Sequence, residues 1–406
     1  MSKRTVITGI GVAAPNGLGT EAYWKSVLAG SNGIAELDRF DTAGYASRLA
    51  GQITGFHVED HLPDRLHAQT DISTQFALVA AEWALTDAGI GGDNTLADYS
   101  MGVVTSTAQG GFAFTHNEFD KLWSRGPEFV SVYESFAWFY AVNTGQISIR
   151  NKMRGPSAAL VSEQAGGLDA LGHARRTVRR GTELVVSGGV DSALDSWGYA
   201  SQLAGGLVST VSDPARAYLP FDAEASGHVP GEGGAILIVE DEESARGRGA
   251  AHLYGEVAGY ASTFDPAPGS GRPPGLRRAV ELALTDAGLT PADVDVVFAD
   301  AAGTLGQDRA EAETLREVFG AHAVPVTAPK ALTGRLAGGG GPLDVATALL
   351  ALRDGVVPPT AHTTDVPEEY GLDLVTGQAR EVPVRTALVL ARGRRGFNSA
   401  LVVRAA

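Results

Sequence analysis

The chain contains two similar segments far apart, and this internal repeat constrains the fold more than any other feature of the sequence. Residues 80–90 read AAEWALTDAGI and residues 279–289 read AVELALTDAGL. In both, apolar residues recur at spacings of three and four, as on one face of a helix, and then comes a glycine, Gly89 or Gly288, where helices commonly end. An apolar strand and a glycine-bearing loop follow each segment, at 101–111 and 294–306. Matched order and spacing favour a duplicated fold over a chance match.

Apolar runs and helical patterns alternate along the rest of the chain. Continuous apolar runs predict strands at 4–9, 101–106, 184–190, 235–239, 386–391 and 400–403, and helical periodicity predicts helices at 20–29, 165–180, 307–319 and 343–354. Strands that are apolar along their whole length are buried on both faces, so helices should cover both sides of the sheets. The charged segment 241–250 separates the two halves. We therefore predict an α/β fold of two similar lobes, residues 1–250 and 251–406, packed into one layered body.

The composition excludes several classes of function. The 406 residues carry a formal net charge of −15, which disfavours binding to nucleic acid or to an anionic membrane. The chain has no cysteine, so disulfides, thiolate metal sites and a cysteine nucleophile are all excluded. No run approaches the roughly 20 apolar residues of a membrane span, and the opening apolar run is too short for a secretion signal. We expect a cytoplasmic protein.

One glycine pattern suggests a dinucleotide site, but its context argues against one. Residues 9–14 read GIGVAA after a short apolar strand and fit the fingerprint G-x-G-x-x-A. Pro15, Asn16 and Gly17 then break the chain where the phosphate-binding helix should begin. We therefore predict no cofactor, and we predict no metal.

The segment LVSEQAGGLDALGHARR, residues 160–176, predicts an apolar strand, a tight turn and a helix. Many acyl-transferring and hydrolytic enzymes hold a nucleophile at such a turn. The residue at this apex is Gln164, whose amide cannot attack a carbonyl. Acyl chemistry here would also need imidazoles from elsewhere in the fold. The two glycine-rich loops that could hold them, 299–313 and 329–344, contain no histidine.

These segments carry a resemblance to the β-ketoacyl synthase family, which has the thiolase fold, and the resemblance extends over essentially the whole chain. It implies a layered α-β-α-β-α body. In active members the turn carries cysteine, the first loop reads A-H-G-T-G-T and the second reads K-x-x-x-G-H. On those patterns Gln164 stands at the cysteine position, and Asp300 and Arg335 stand at the two histidine positions. Five further residues still match the family pattern: Lys330, Thr304, Asp308, Arg309 and Glu311.

The family's C-terminal pattern, G-F-G-G-x-N, is also altered. Residues 393–398 read GRRGFN, with Arg394 and Arg395 at two of its positions. This change puts in doubt the amide-lined oxyanion pocket that the resemblance places beside the nucleophile. Because the reactive groups are lost together while the scaffold persists, we predict a chain that is inactive alone and serves as a subunit of a β-ketoacyl synthase (acyltransferase) complex.

Within the family, the chain most resembles the chain length factors of bacterial type II aromatic polyketide synthases. The resemblance implies a heterodimer with a catalytic ketosynthase subunit, an acyl carrier protein as second partner, and a tunnel for the growing poly-β-ketone chain across the interface. Phe112, Thr115 and Phe119 are spaced so that a helix presents them on one face, and they match positions that close the tunnel. Two phenylalanines there indicate a short tunnel and favour an octaketide. Trp197 is a weaker candidate for the tunnel wall.

Several alternatives stay open. Glutamine at this apex is also typical of ketosynthase domains that decarboxylate malonyl groups, so one rival is a malonyl-carrier decarboxylase that supplies the acetyl starter through Gln164. Gln164 could also simply fill the site and hydrogen-bond within it. A third possibility is a stand-alone homodimeric condensing enzyme. The arginines of residues 173–181 are interpreted either as a basic docking patch for the carrier protein or as a solvated helix end. The patch consists of Arg175, Arg176, Arg179 and Arg180.

Overall fold

The computed structural model describes residues 3–91, 96–267 and 269–406. The helices within these ranges are α1 (Thr20–Leu28), α2 (Asp64–His67), α3 (Ile72–Asp87), α4 (Phe112–Arg125), α5 (Glu134–Ala137), α6 (Val142–Arg150), α7 (Gly166–Arg179), α8 (Ser196–Leu203), α9 (Glu242–Gly247), α10 (Leu276–Ala287), α11 (Leu305–Phe319) and α12 (Gly340–Asp354). The strands are β1 (Thr5–Ala14), β2 (Gly17–Leu18), β3 (Ile34–Glu36), β4 (Leu49–Gly51), β5 (Met101–Ser106), β6 (Ser157–Leu160), β7 (Leu184–Asp191), β8 (Gly233–Asp241), β9 (Gly255–Phe264), β10 (Val296–Phe298), β11 (Pro325–Thr327), β12 (Val356–Val357), β13 (Asp373–Leu374), β14 (Arg380–Glu381), β15 (Thr386–Gly393) and β16 (Phe397–Arg404).

The main sheet consists of two halves with the same plan. Its strand order is β13-β11-β10-β15-β16-β9-β1-β8-β7-β5-β6. In each half two antiparallel neighbours lead to a parallel group: β8 pairs antiparallel with β1 and β7, and β16 pairs antiparallel with β9 and β15. Among the described strands, the two halves pair with each other only where Val6 and Ile7 of β1 face Glu256 and Gly255 of β9. This short junction lets the two halves fold over each other as separate layers.

Helices fill the space between the two half-sheets and cover their outer faces. Helices α7 and α12 lie between the halves: α7 contacts β5, β7, β9 and β16, and α12 contacts β8 and β15. Helix α3 covers the outer face of β1 and β8, and α10 covers the outer face of β9 and β16. Three separate apolar cores fill the gaps, one around α7 and α12 and one under each outer helix. The result is the predicted α-β-α-β-α body.

The two repeated segments occupy equivalent places in the two lobes. Residues 80–90 end α3 and residues 279–289 end α10, and each helix stops beside a glycine in the left-handed region, Gly89 (φ +70°) or Gly288 (φ +69°). The strand beneath each helix also repeats. A Cβ at Gly9 would lie 2.1 Å from the carbonyl oxygen of Ala84, and a Cβ at Gly259 would lie 2.1 Å from that of Ala283. The same close approach of helix to strand in both lobes confirms the predicted duplication.

Most predicted elements are present with small shifts at their ends, and β1 differs most. It was predicted at 4–9 and runs from Thr5 to Ala14, with every residue buried. The glycines of the GIGVAA pattern therefore lie within a strand, where Gly9 and Gly11 admit the backbone of α3 rather than a phosphate. Within the described residues, no helix combines the length and apolar character needed to cross a bilayer.

Candidate functional site

The predicted site lies where the two central helices begin. A single 3-10 turn, Glu163–Ala165, follows β6 and places Gln164 at its apex, directly before α7. Glu163 has φ +54°, a left-handed backbone that non-glycine residues adopt at a cost and that marks such sharp turns. The predicted apex is therefore present, with an amide where a nucleophile would stand.

Gln164 is bonded across the site to the loop that precedes α12. With its amide oriented to satisfy both ends, its Nε2 donates to the carbonyl oxygen of Ala337 (3.0 Å) and its Oε1 accepts from the Ala337 N–H (3.2 Å). Ala337 itself has φ +47°. Gln164 thus connects the turn of the first lobe to the corresponding loop of the second lobe. Both ends of its amide take part in these two hydrogen bonds.

The two positions that the family gives to histidine are bonded to each other. Arg335 Nη2 lies 3.0 Å from Asp300 Oδ1, and Arg335 Nη1 lies 3.2 Å from Asp300 Oδ2 and 3.0 Å from the Asp300 carbonyl oxygen. Only 2% of Asp300 and 9% of Arg335 are exposed. Burial alone would raise the pKa of Asp300, but the charges of Arg335 and Lys330 hold it below its ordinary value. Asp300 is therefore an ionised partner of Arg335.

Carboxylates of α11 also hold the loop that carries Asp300. Glu311 accepts from the N–H groups of Asp300 and Ala301, each at 2.8 Å. Asp308 accepts from the N–H groups of Gly303 (2.9 Å) and Phe221 (2.9 Å), and burial raises its pKa to about 7. The resemblance assigned both carboxylates to the frame of this loop, and they hold its backbone in the structure.

Lys330 is bonded on the other side of the same loop. Its Nζ donates to the carbonyl oxygen of Ala299 (2.5 Å) and lies 2.7 Å from a carboxylate oxygen of Asp344 on α12. Burial raises the pKa of Asp344 against the opposing charge of Lys330. The retained lysine therefore connects the loop to α12 and does not extend into the cavity.

These residues enclose a small cavity of about 130 Å³. Its lining residues are Glu163, Gln164, Leu207, His228, Asp265, Asp300, Ala302, Gln307, Arg335, Arg392, Gly393, Arg394, Arg395 and Gly396. A pocket that encloses an organic ligand commonly has about 300–1,000 Å³. None of the described residues in this lining carries a hydroxyl, thiol or amine that could act as a nucleophile. The cavity is therefore smaller than the pockets that commonly enclose an organic ligand.

The C-terminal arginines change the wall where the resemblance places an oxyanion pocket. The Arg394 N–H donates to the Glu163 carboxylate, and the Arg394 guanidinium Nε lies 3.6 Å from the other oxygen of that carboxylate. Arg395 has φ +68°, a left-handed conformation at a position that the family pattern gives to glycine. Both arginines line the cavity. Charged side chains therefore form this wall of the cavity, and one of them, Arg394, is paired with Glu163.

One cavity residue was missed by the sequence analysis. His228 lies outside both glycine-rich loops, and the backbone brings it to the cavity by hydrogen bonds from its own N–H to Leu207 and from Gly227 to Gly303. Burial, with the charge of Arg335, lowers the pKa of His228 from 6.5 to about 3. The imidazole is therefore neutral at pH 7.

The predicted gate residues lie together at a second place. The ring of Phe112 lies 5.5 Å from that of Trp197, and the ring of Phe119 lies 5.8 Å from it, measured between centroids. Phe112 and Phe119 belong to α4, and Trp197 belongs to α8. Thr115 is half-buried one turn after Phe112. The structure thus brings the sequence-predicted aromatic side chains into one cluster, named here the aromatic gate: Phe112, Phe119 and Trp197.

Asp191 connects the aromatic gate to the Gln164 site. Its carboxylate accepts from the hydroxyl of Thr107 and from the N–H groups of Ala108 (2.8 Å) and Gln109 (3.2 Å), just before α4. It also accepts from the N–H of Gly338 (2.7 Å), next to the residue that Gln164 binds. Burial raises the pKa of Asp191 to about 6 despite these bonds. One buried side chain therefore fixes both segments relative to β7.

The predicted docking patch needs one correction. Arg175 is only 3% exposed, and its guanidinium donates to Asp286 (2.5 Å) and to the carbonyl oxygen of Ala258 (2.5 Å). It lies on the face of α7 that packs against the second half-sheet, so a carrier protein cannot reach it. Arg176 and Arg180 are exposed, and Arg179 is half-buried. A basic surface on α7 therefore contains three arginines at most.

Fold and site together define a thiolase-like condensing-enzyme body in which Gln164 is bonded to the Ala337 backbone and Asp300 is paired with Arg335. The family models for the β-ketoacyl synthase N-terminal and C-terminal domains match residues 2–245 and 254–364. The chain belongs to the β-ketoacyl synthase family.

Three similar proteins indicate which members of the family this chain resembles. The tetracenomycin polyketide synthase ketoacyl synthase beta subunit of Streptomyces glaucescens is 58% identical over 400 residues, which are 98% of each chain. The ishigamide ketosynthase/chain length factor superposes with a TM-score of 0.91 at 26% identity and full coverage of both chains. A type II polyketide synthase acyl carrier protein in complex with its ketosynthase bound to the hexaketide gives a TM-score of 0.88, at 26% identity and full coverage.

Proposed function

We propose that this chain is the chain length factor of a bacterial type II aromatic polyketide synthase. It pairs with a catalytic ketosynthase, forms part of the polyketide tunnel and sets the length of the poly-β-ketone chain. The observation that carries this proposal is the internal bonding of the reactive positions, Gln164 to Ala337 and Asp300 to Arg335, around a cavity of about 130 Å³. Relatives named as a ketoacyl synthase beta subunit and as a ketosynthase/chain length factor support it.

The aromatic gate supports a steric measure of chain length. Each added ketide unit extends the chain toward Phe112, Phe119 and Trp197 until the rings leave no room. Forcing atoms into packed space costs about 1–3 kcal/mol, which slows a further extension by about ten- to a hundredfold. Two phenylalanines favour the shorter tunnel, so the product proposed is an octaketide.

The first half-sheet offers a face for the ketosynthase partner. Strand β6 lies at the end of the strand order and pairs only with β5 among the described strands, so its other edge is open. Open edges and clustered exposed apolar side chains are features of protein interfaces. Exposed apolar residues lie on the segments around this edge: Trp138, Phe139, Ile149 and Val161. A cysteine-bearing ketosynthase subunit that covers this face would supply the chemistry that this chain lacks.

The carrier protein is the second partner. The structural neighbour with bound acyl carrier protein and hexaketide supports this assignment, since its ketosynthase has the same fold at full coverage. On this chain the docking residues proposed are Arg176, Arg179 and Arg180, without the buried Arg175. A subunit that works with a carrier protein and a ketosynthase fits a place in the cytoplasm.

The proposal is tested by comparing the isolated chain with the reconstituted pair. We expect the purified chain to form no carbon–carbon bond from malonyl-carrier protein, and we expect the pair with a cysteine-bearing ketosynthase to release poly-β-ketones of one main length. Condensation by the isolated chain would overturn the proposal. The decarboxylase alternative predicts carbon dioxide release that disappears in Gln164→Ala, whereas a structural Gln164 predicts the same low release before and after the substitution.

A further inference from the structure

The aromatic gate is held on two helices, and one of them lacks a side-chain cap of its own. The residue before α4 is Gly111, which offers no side-chain acceptor to the first turn. The first N–H groups of a helix have no partner within the helix and need one from elsewhere. For α4 that partner comes from a different helix.

Asp71 supplies this cap and caps its own helix at the same time. Its Oδ1 accepts from the N–H of Ser73 (2.8 Å) in the first turn of α3, and its Oδ2 accepts from the N–H of Phe114 (2.9 Å) in the first turn of α4. Asp71 is only 2% exposed. A carboxylate is favoured at a helix N-terminus by its charge as well as by its hydrogen bonds. Here one buried carboxylate serves two helices.

Asp195 has the corresponding role on the other helix of the aromatic gate. It caps α8 by accepting from the N–H groups of Trp197 (3.1 Å) and Gly198 (3.2 Å). It also lies 2.8 Å from the Nδ1 of His116, which follows Phe112 by one turn of α4. Burial raises the pKa of Asp71, and the negative charge of Asp195 adds a smaller contribution in the same direction.

These bonds connect the aromatic gate to the rigid part of the lobe. Helix α3 is buried along most of its length against β1 and β8. Asp71 fixes the start of α4 to the start of α3, and His116 with Asp195 fixes α4 to α8. The distance of Phe112 and Phe119 from Trp197 is therefore set by two polar anchors as well as by ring contact.

We propose that Asp71 is a positioning residue for chain-length control, with the His116–Asp195 pair as its second anchor. This inference rests on the proposed function, since it assigns the anchors of the same aromatic gate. An amide at position 71 has one oxygen and cannot accept from both helices as the carboxylate does. In Asp71→Asn one of the two helices therefore loses its hydrogen-bond acceptor. The first turn of α4 is then held less firmly, and the aromatic gate admits a longer polyketide chain.

The test uses the reconstituted pair with a cysteine-bearing ketosynthase and carrier protein, and product lengths are measured by mass spectrometry. We expect Asp71→Asn to raise the ratio of longer to normal polyketides about tenfold, which corresponds to about 1.4 kcal/mol. The matched control is Asp241→Asn, which removes a buried carboxylate cap of α9 (Ser244 N–H, 3.1 Å) outside the gate helices. The control should lose stability without any change in product length.

Each outcome decides the inference. A change of product length in both variants, or in neither, overturns the positioning role of Asp71. If the Asp71→Asn chain does not assemble with the ketosynthase, the test uses His116→Ala instead, because that side chain is half-exposed. This variant must then give a longer product, and an unchanged product length overturns the inference. The reference is Phe112→Ala/Phe119→Ala: if this double variant lengthens the product and Asp71→Asn does not, only the inference fails. If the double variant also leaves length unchanged, the gate of the proposed function fails with it.

Discussion

Asp300 and Arg335 form a buried ion pair with three contacts between guanidinium nitrogens and carboxylate oxygens, at the two positions where active family members hold histidines. Each side chain satisfies the charge that the other carries, and Arg335 also donates to the Asp300 and Arg392 carbonyl oxygens. The pair occupies both of these positions with charged groups that are already bonded to each other. It also makes each residue dependent on the other for the stability of the fold.

That dependence predicts a strong coupling between the two residues. Asp300→Asn alone leaves a buried arginine without its counter-charge and should cost about 3–5 kcal/mol of unfolding free energy. Adding Arg335→Gln should recover most of that loss, because the uncompensated charge is then gone. Denaturant unfolding of the two single variants and the double variant gives the coupling energy. If the losses of unfolding free energy in the two single variants simply add in the double variant, the two residues are not energetically coupled and the prediction is contradicted.

His228 predicts a specific pH dependence of stability. Its folded-state pKa of about 3 lies below the ordinary value of 6.5, because of burial and then Arg335. The stability linked to His228 is therefore fully present above pH 6.5 and is lost as the pH falls from 6.5 toward 3, where only the unfolded chain binds the proton. His228→Gln should flatten the fall in unfolding free energy between pH 6.5 and 4 by a few kcal/mol. Curves of equal slope for variant and parent would contradict this.

The aromatic gate predicts a change of product length. Phe112→Ala/Phe119→Ala removes the two phenylalanine rings of α4 that contact Trp197, and we expect longer polyketides to rise about ten- to a hundredfold relative to the normal product. Mass analysis of the reconstituted pair measures the ratio. Phe319→Ala, a partly buried phenylalanine at the end of α11 in the other lobe, is the matched control and should leave the length unchanged. The gate hypothesis fails if the double variant and this control give the same products.

The open face beside β6 predicts where the partner binds. Phe139 is 48% exposed and lies shortly before α6, which contacts β6, whereas Leu282 is 42% exposed on α10 in the other lobe. A charge placed in an apolar interface is desolvated without a partner, so Phe139→Asp should weaken association with the ketosynthase at least about tenfold. Leu282→Asp should leave the dissociation constant unchanged. Sedimentation of the mixed subunits measures both, and equal effects would place the interface elsewhere.

Much of the fold was predictable because it is repeated and strongly apolar. The two 11-residue echoes, the buried strands and the Gln164 apex all rest on local patterns, and the structure contains them. The pairing of Asp300 with Arg335 was not predicted. Their opposite charges at two family histidine positions were the available signal, but only the fold of both loops brings them together. The division of the lobes at residues 250 and 251 stays a prediction.

Two side chains show what local reasoning misses. Arg175 follows Leu171 by four residues and precedes Val178 by three, so it lies on the buried face of α7, which its spacing could have indicated. The cluster of arginines in the sequence instead suggested a surface. His228 lies in an irregular segment without helical or strand periodicity, and bonds to Leu207 and Gly303 bring the segment to the cavity. No local pattern points to that position.

The carboxylates of Glu311 and Asp308 hold the 300–303 backbone through its N–H groups, and the Asp300 carboxylate adds bonds to Arg335 and to the Arg392 N–H. The bonds from Glu311 and Asp308 do not depend on which side chain stands at position 300. A lineage that gained only one of the two charges would have passed through a poorly stable intermediate. We expect natural variation here to replace both residues together and to keep their charges opposite.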